Sequence, residues 1–380
     1  MTQARQDRMT TTRSVTDASW PWRRRAVWGA VSVGLAFGQP ARAEMPPRVS
    51  ETEVFPRLSE DAVRIRFHLG GVRDNAPDIS PVLPDMPGPA SAWYLAQWQK
   101  RDPLRPERML RADPAATDPR LGPPLVSFPS ASGESRLDIY RGEGSAPVFG
   151  LTSAGGTLTA AGGANVFLSV NAAETAASLD APTVYRVGLK LTQASVAARD
   201  PRSLDNGDVL AQVFTGFTLR FTDPATGKVT PAFLQIPHAD SREGDPTHRQ
   251  CSLSNGTAQL LTVGGVRGRR LLPFAAAAPE APLASLAFDL NREVCALARA
   301  EFQCSGGGAS QRFRLPASAM DLANWRIGSL YIGLETQDSV EKAPNPVRGS
   351  VRVSLQVSDP RVSQDVSPTR RRATCTAGGE

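Results

Sequence analysis

The sequence Val213-Phe-Thr-Gly-Phe-Thr-Leu-Arg-Phe221 is followed by Asp223-Pro-Ala-Thr-Gly227 and then by Val229-Thr-Pro-Ala-Phe-Leu-Gln-Ile236. The first and third stretches are rich in β-branched and aromatic residues, whereas the middle stretch holds the Pro and Gly of a tight loop. Two such stretches joined by a short loop that contains Gly predict a β-hairpin. This hairpin is the clearest local unit of the chain, and it indicates an antiparallel β fold.

Strand patterns of the same kind recur along the chain. Residues 63–69 and 351–357 alternate apolar and polar side chains, which indicates strands with one buried face. Residues 325–334 form a continuous apolar run, as expected for a strand buried on both faces. About a dozen strands over roughly 210 residues, with only a few short helices, predict an all-β, antiparallel β-sandwich of jelly-roll type. The helical candidates are residues 287–302 and 317–324.

The composition predicts four segments. These are a signal peptide at 1–43, a Pro-rich N-terminal segment at 44–130, a β-sandwich domain at 131–358 and a flexible C-terminal tail at 359–380. Pro occupies 12 of the 53 positions between residues 77 and 129, and it cannot donate to a strand ladder. We therefore expect one or two strands in the N-terminal segment, which packs on the sandwich or links to it.

The N-terminal residues have the order of a secretory signal. Three arginines at 23–25 precede an apolar run of 13 residues, 26–38, and a small-x-small cleavage site at 41–43. The general secretory route and the twin-arginine route both stay open. No later stretch is long and apolar enough to span a bilayer, so we expect an exported protein, periplasmic or extracellular, without membrane insertion after cleavage.

The charge of the chain argues against a role with nucleic acids. The 380 residues carry a formal net charge of +6, but residues 1–43 hold seven Arg and two Asp, a net +5. The mature chain is therefore left with +1. Such a chain has no excess positive charge for binding a phosphate backbone.

Four cysteines lie in the mature part of the chain, at positions 251, 295, 304 and 375. An oxidising compartment favours disulfides for all of them. Cys295 and Cys304 are nearest in sequence and are the preferred pair. The alternative pairs Cys251 with Cys295 or with Cys304.

One stretch has the composition of a possible metal site. It contains two imidazoles and three carboxylates within 11 residues: His238, Asp240, Glu243, Asp245 and His248. If a flexible loop lets these side chains converge, they can bind a divalent cation. The alternative is a solvated polar loop, which the irregular spacing favours. The chain contains no nucleotide-binding glycine motif, so no other cofactor is predicted.

Aromatic side chains supply the candidate ligand-binding residues. Trp93, Tyr94 and Trp98 lie in a Pro-rich, polar neighbourhood, where a binding surface and a core position are both open interpretations. Flat aromatic rings stack on sugar rings while polar groups at their rim bind hydroxyls. For Trp325 and Tyr331, within an apolar run, the core is the favoured interpretation.

Two short pieces resemble a known enzyme family. Gln235-Ile236-Pro237-His238 ends one strand, and the stretch YIGLETQ, residues 331–337, lies on a later one. Together they resemble the jelly-roll alginate lyases, in which a Gln-x-His motif and a later Tyr-rich strand act on a uronic acid. The resemblance implies Gln235 as a ligand-binding residue. It also implies His238 and Tyr331 as proton-transfer groups, to which we add Glu335. Because Gln235 and His238 are three apart, an ideal strand would place them on opposite faces.

These observations lead to three hypotheses about function. The first is a secreted β-sandwich protein that binds an extracellular ligand, most plausibly a glycan, without catalysis. The second is a polysaccharide lyase or glycoside hydrolase that uses His238, Tyr331 and Glu335. The third is an envelope structural or assembly protein, whose exposed strand edges bind partners. Oligomeric state is left open.

Overall fold

Two β-sheets packed face to face make up most of the protein. The structure is a computed structural model that describes residues 50–58, 64–71, 91–98, 102–142, 146–155, 164–172, 177–205, 208–242, 248–254, 257–263, 272, 274, 277–306, 309–338, 348–367 and 372–375. Residues 49–380 belong to one compact unit. The fold is all-β and of jelly-roll type, as the strand patterns predict, with only two short α-helices in the described ranges.

The smaller sheet, sheet I, has eight strands. They are β1 (Glu51–Glu53), β4 (Leu110–Arg111), β5 (Val126–Pro129), β6 (Arg136–Tyr140), β7 (Val148–Gly155), β9 (Thr183–Ala198), β14 (Ala284–Asp289) and β18 (Gly349–Asp365). Their order across the sheet is β14-β9-β18-β7-β6-β5-β4, and β1 also pairs with β18. Neighbouring strands of this sheet run antiparallel.

The larger sheet, sheet II, has ten strands. They are β2 (Arg66–Gly71), β3 (Tyr94–Trp98), β8 (Ala164–Asn171), β10 (Leu210–Thr222), β11 (Val229–Asp240), β12 (His248–Ser254), β13 (Thr257–Val263), β15 (Glu301–Gly306), β16 (Ala309–Arg314) and β17 (Trp325–Gln337). Their order is β16-β15-β12-β13-β11-β10-β17-β8-β3-β2. Three pairs run parallel, β2 with β3, β11 with β13 and β12 with β15.

The hairpin expected from the sequence forms the centre of sheet II. β10 and β11 pair antiparallel from Thr222 opposite Val229 to Gln212 opposite Asp240. Gly227 closes the loop with a φ of 70°, a conformation that Gly adopts without strain. The register shifts near Phe214, where β11 carries an extra residue. This bulge, at His238, places Ala239 on the inner face of the sheet and Asp240 on the outer face.

One hydrophobic core lies between the two sheets. Alternate residues of β10 and β17 point into it, among them Phe217, Phe221, Trp325, Leu330 and Leu334, all at most 1 % exposed. Strands of sheet I contribute Leu151, Tyr185, Val353 and Leu355 to the same core. Burial of these apolar faces stabilises the sandwich, since each buried aliphatic or aromatic side chain contributes about 1.5–3 kcal/mol.

The sandwich extends beyond both of its predicted boundaries. Between residues 44 and 130 the chain supplies five strands, β1 to β5, to the two sheets, instead of one or two. The boundary expected at residue 358 lies inside β18, whose last residues pair with β1 and β9. A high proline content does not exclude short strands between the prolines, because a short or edge strand needs few backbone N–H donors for its ladder. The expected signal peptide lies outside the described residues.

The preferred cysteine pairing is wrong. The disulfides join Cys251 to Cys304 and Cys295 to Cys375, with sequence separations of 53 and 80 residues. Cys251 and Cys304 are direct register partners on β12 and β15, which is one of the two alternatives left open. Cys375 lies in the segment expected to be a flexible tail, and the disulfide ties it to Cys295. Cys295 and Cys304 are close in sequence but lie on different elements. The helix that contains Cys295 ends before β15, the strand that contains Cys304, begins.

That helix, α2 (Leu290–Ala298), is shorter than the expected helix at 287–302. Asp289 caps its N-terminus by accepting a hydrogen bond of 3.1 Å from the backbone N–H of Arg292. The residues at both ends of the expected helix belong instead to the strands β14 and β15. The other α-helix, α1, is the single turn Arg202–Asp205, and residues 317–324 form two 3₁₀ turns, Ala317–Met320 and Leu322–Asn324.

Two structural features bear on the compartment. Both disulfides are of the kind that persists in oxidising environments, so they suggest an exported protein. No helix in the described ranges has the length and the apolar character required to cross a bilayer.

Candidate functional site

The candidate site lies on the outer face of sheet II, which points away from the core. Residues that alternate with the core residues of β3, β8, β10, β11 and β17 occupy this face, as the strand registers require. At its centre, buried side chains form a second apolar group, separate from the core. We call this group the outer aromatic cluster: Tyr94, Ala96, Phe167, Phe214, Phe233 and Tyr331.

Tyr331 is the centre of the outer aromatic cluster. Its ring stacks on Phe233 with ring centroids 4.9 Å apart and an interplanar angle of 22°. Phe167 and Phe214 meet it edge to face at 5.5 Å and 6.2 Å. These geometries are the ones that aromatic pairs prefer, and they fix the orientation of the ring.

Two glycines make the arrangement possible. Gly216 lies opposite Tyr331 on β10, and a Cβ atom at residue 216 would overlap the tyrosine ring. The ring therefore crosses β10 and reaches Phe233 on β11. At Gly333, a Cβ atom would overlap the backbone carbonyl of Val166 and crowd the backbone and ring of Phe167. A strand glycine often marks such a close approach.

Three polar atoms on this face have no hydrogen-bond partner within the described part of the chain. They are the Tyr331 hydroxyl, the Ser169 Oγ and the Asn165 Oδ1, all buried at the atomic level. Ser169 lies between Tyr331 and Tyr94 in the register of the sheet, and Asn165 lies opposite Glu335. A buried polar group without a partner costs about 1–3 kcal/mol. Groups of this kind normally form a hydrogen bond with an ordered water molecule or with a ligand.

The Tyr331 hydroxyl is a proton-bearing group. Burial raises its pKa well above the usual value of tyrosine, and the nearby charge of Glu335 raises it further. The hydroxyl therefore stays protonated at neutral pH, where it can donate and accept hydrogen bonds. A tyrosine that removes a proton from a substrate needs the opposite shift.

Tyr94 forms the rim of the cluster toward β2. Its ring is partly exposed, and its hydroxyl donates a hydrogen bond of 3.2 Å to Asn171. The guanidinium carbon of Arg66 lies 5.6 Å from the ring centroid, within the range of a cation–π contact. The His68 ring lies edge to face at 6.0 Å. These contacts hold the ring in place at the boundary between the buried cluster and solvent.

A charged group lies at one end of the outer face. Asp240 is 1 % exposed and accepts hydrogen bonds from Gln212 at 2.6 Å and from the Arg242 guanidinium at 2.8 and 3.1 Å. Burial acts to raise the pKa of Asp240, but these hydrogen bonds outweigh it, and the pKa lies below its usual value. Gln212 is also the register partner of Glu335, so two carboxylates flank this amide.

His238 lies on the opposite face of the sheet from Tyr331 and Glu335. It is fully buried in the core, its Nε2 is 2.8 Å from the Thr215 hydroxyl, and its ring lies against Phe288. Desolvation lowers its pKa to about 3, so the imidazole is neutral. Gln235 lies on the outer face opposite Gly216, which is the separation of faces expected from the Gln235–His238 spacing. Proton transfer shared by His238 and Tyr331 has no geometric support.

The residues of the expected metal site also lie on different faces of the sheet or on different elements. His238 and Asp240 lie within β11 rather than in a loop, and they face opposite sides of the sheet. Glu243 and Asp245 lie outside the described residues, whereas His248 begins β12. Across the described ranges, no three His, Cys, Asp or Glu side chains are grouped as metal ligands.

The three aromatic candidates from the Pro-rich segment have different positions. Trp93 is 1 % exposed and packs in the core, where its Nε1 donates a hydrogen bond of 2.8 Å to the Pro56 carbonyl. Tyr94, the next residue, is on the outer face. Trp98 ends β3 opposite Asn165, and its side chain lies outside the description. Of the three, the structure brings Tyr94 to the candidate site.

Sequence reasoning missed most of the outer aromatic cluster. The sequence patterns do not single out Phe167, Phe214 and Phe233, or the glycines at 216 and 333. One signal was present, because β10 carries aromatic residues at both parities, Phe214 on one face and Phe217 on the other. Aromatic residues on both faces of a strand indicate that both faces pack against other side chains.

Comparisons with known proteins give no family. No family model and no curated protein matches this sequence. Among solved structures, a family 11 xylanase from Neocallimastix patriciarum is 8 % identical with a TM-score of 0.26, covering 64 % of this chain and 88 % of the xylanase. The endoglucanase Cel12A from Rhodothermus marinus is 11 % identical with a TM-score of 0.29, covering 71 % and 99 %. Likenesses at this level carry no argument about activity.

Proposed function

We propose that this protein binds an extracellular glycan on the outer face of sheet II and leaves it chemically unchanged. The observation that carries the proposal is the combination of aromatic rings with unpartnered polar atoms on one face. Tyr94 and Phe233 supply partly exposed aromatic surface beside the buried ring of Tyr331. The Tyr331 hydroxyl, the Ser169 Oγ and the Asn165 Oδ1 are buried hydrogen-bonding atoms without a partner among the described residues. Sugar rings need both kinds of contact, because they have apolar faces and hydroxyl rims.

The positions of the polar atoms support a single site. Tyr331, Ser169 and Tyr94 are direct register neighbours on β17, β8 and β3. Since neighbouring strands lie about 4.8 Å apart, these residues cover about 10 Å across the sheet. The oxygens of Tyr331 and Ser169 are buried in the structure without ligand, so a bound sugar must displace the side chains that cover them before its hydroxyl groups supply the missing partners.

Binding without catalysis accounts for the site better than lyase chemistry does. A lyase needs a base next to the proton that it removes. The Tyr331 hydroxyl is held in its protonated form, and the neutral imidazole of His238 is on the other side of the sheet. The resemblance to alginate lyases therefore does not extend to the arrangement of these side chains.

A second candidate function, glycoside hydrolysis, is favoured by the two carboxylates that flank Gln212. Asp240 and Glu335 lie on one face of the sheet, two strands apart. This separation is about 9.6 Å between backbones, near the upper end of the range for inverting glycosidases. However, Arg242 and Gln212 occupy both oxygens of Asp240. A catalytic base must instead contact the attacking water, and this requirement makes hydrolysis the weaker candidate.

The proposal is tested by a glycan-array screen of the purified protein, followed by titration of the best ligand. Tyr331→Phe removes the unpartnered hydroxyl and keeps the ring, so we expect affinity to fall about tenfold, as for the loss of one buried hydrogen bond. Ser169→Ala should act in the same direction. Tyr185→Phe is the matched control, because its hydroxyl is paired with Thr215 in the core, and affinity should not change.

Two results would contradict the proposal. The first is that the protein binds no glycan. The second is that the Tyr331→Phe variant binds as tightly as the original, because this would mean that the hydroxyl forms its hydrogen bond with water and not with the ligand. Supernatants should be assayed for unsaturated and reducing ends. Product that disappears in Glu335→Gln would establish hydrolysis in place of simple binding.

A further inference from the structure

We propose that the glycan bound on the outer face of sheet II is acidic, and that Arg220 and Arg326 bind its carboxylate group. This inference rests on the proposed function and names the class of ligand. It begins from two arginines that are direct register partners on β10 and β17. Their neighbours along the strands, Leu219, Phe221, Trp325 and Ile327, are buried in the core. Both arginines therefore point to the outer face.

The pairing of Arg220 with Arg326 gives the fold no benefit. Like charges directly opposite each other on a sheet are destabilising. Neither guanidinium forms an ion pair with a carboxylate in the described part of the chain, although 11 pairs of arginine with a carboxylate are present elsewhere in it. The next residue across the sheet from Arg220 is Pro231, which is uncharged. An anionic ligand group is the partner that this arrangement lacks.

The hydrogen bonds of Arg326 leave one edge of its guanidinium for a ligand. Its Nη1 donates to the carbonyls of Ala323 at 2.6 Å and of Trp325 at 3.0 Å, and this fixes the group in place. The Nε and Nη2 atoms form the other edge and make no bond to the described residues. Two parallel N–H groups on one edge match the two oxygens of a carboxylate. Arg220 is exposed beside it and can add a second positive charge.

The outer face has an ordered distribution of charge along its strands. The arginine pair lies at one end, and the hydroxyls of Thr218 and Ser329 follow, 2.6 Å apart. The outer aromatic cluster comes next, and Asp240 with Glu335 lies at the far end. A chain of sugars that stacks on the cluster and extends along the strands toward Arg220 and Arg326 would place an anionic substituent between them. Because Arg242 balances the charge of Asp240, the far end keeps the charge of Glu335, which disfavours the same substituent there.

The test uses one polymer in two charge states. Polygalacturonate carries free carboxylates, whereas fully methyl-esterified polygalacturonate has the same sugars without the charge. We expect the free acid to bind the purified protein at least about tenfold more tightly, since its carboxylate accepts charge-assisted hydrogen bonds that the ester cannot form. Added salt should weaken binding of the free acid more than binding of the ester.

Arg220→Gln is the decisive variant, because Arg220 is exposed and its guanidinium makes no hydrogen bond or ion pair with the described residues. It should weaken binding of the free acid about tenfold and leave binding of the ester unchanged. Arg312→Gln is the matched control. It removes the same charge from the edge strand of the same sheet, where Arg312 is 79 % exposed, and should change neither affinity.

The outcomes separate this inference from the proposed function. Equal affinity for acid and ester, or an affinity that Arg220→Gln leaves unchanged, overturns the acidic-ligand inference, while Tyr331-dependent binding of neutral glycans still supports the proposed function. Tighter binding of dextran sulfate than of polygalacturonate overturns the assignment to a carboxylate. Failure to bind any glycan overturns both. Binding that depends on Arg220 but not on Tyr331 supports the arginine site and contradicts the aromatic one.

Discussion

The inner and outer faces of sheet II are built from alternate residues of the same strands, yet the hydroxyls of two buried tyrosines on these faces differ in their partners. On the inner face the hydroxyl of Tyr185, which reaches across from sheet I, lies 2.8 Å from that of Thr215, which in turn lies 2.8 Å from His238. On the outer face the Tyr331 hydroxyl is equally enclosed and has no described partner. Two buried tyrosines in one sandwich thus differ in whether the fold itself uses their polar atom.

This difference separates stability from function. A group that the fold pairs internally contributes to folding, whereas a buried group without a partner opposes folding unless another molecule supplies the bond. In the described part of the chain the outer face carries three such atoms, whereas the inner face carries one, the His238 Nδ1. The outer face also carries two arginines without a carboxylate partner there, and these features are the basis of the proposed ligand site. Each of the following predictions tests whether the two faces really differ in this way.

The largest expected effect is the loss of a core aromatic side chain. Phe217→Ala should lower the free energy of unfolding by about 3–5 kcal/mol, because the ring is fully buried and leaves a cavity between the sheets. Phe214→Ala, on the outer face of the same strand, should lower it less, by a margin of at least about 1 kcal/mol, because the outer aromatic cluster is small. Urea denaturation of both variants measures the difference. Equal losses would show that both faces contribute equally to stability.

The next effect is a dependence of stability on pH that arises from the inner face. In the folded state, desolvation lowers the pKa of His238 to about 3 from an ordinary value of 6.5. The groups around it are the Thr215 hydroxyl and Phe288, with Tyr185 beyond Thr215, and none of these is charged at neutral pH. Between these two pH values the unfolded chain binds a proton that the folded chain does not. The contribution of the neutral His238 to stability is therefore fully present above pH 6.5. Below that pH the free energy of unfolding falls by about 1.4 kcal/mol per pH unit.

Denaturation between pH 5 and 6.5 measures this slope before most carboxylates begin to titrate. His238→Asn removes the titrating group and should flatten the slope in that window, although the variant itself is less stable. A variant with an unchanged slope would show that His238 is not the source of the pH dependence. Ligand binding by the folded protein should change little over this range, because His238 does not face the outer site.

The smallest effect concerns the two tyrosines themselves. Tyr185→Phe removes a paired hydroxyl and should lower the free energy of unfolding by about 1 kcal/mol. Tyr331→Phe removes an unpaired one and should leave stability unchanged or raise it by up to about 1 kcal/mol. Denaturation without ligand gives both values. A loss of equal size in the two variants would mean that the Tyr331 hydroxyl also has a structural partner.

Much of the framework follows from local patterns. The hairpin of β10 and β11 forms where the Pro and Gly loop predicts it, and β17 and β18 follow their apolar patterns. The candidate site was predicted less completely. Tyr94, Gln235, Tyr331 and Glu335 do lie on one face, and His238 lies on the other, as its spacing of three residues from Gln235 predicts. The bulge at His238 instead changes the face of the residues after it, and it places Asp240 on the outer face. A one-residue bulge reverses the face of the residues that follow, and no local signal announces it.

The sequence by itself determined that this protein is an all-β sandwich, because strand alternation and turn residues act over a few neighbouring positions. Only the tertiary structure decided which strands are neighbours. That choice placed Cys251 beside Cys304, assigned Trp93 to the core and Tyr94 to the outer face, and set Arg220 opposite Arg326. These relations join residues as much as 106 positions apart in the chain, as Arg220 and Arg326 are. They depend on strand order and register, which arise from packing of the whole sandwich rather than from any local pattern.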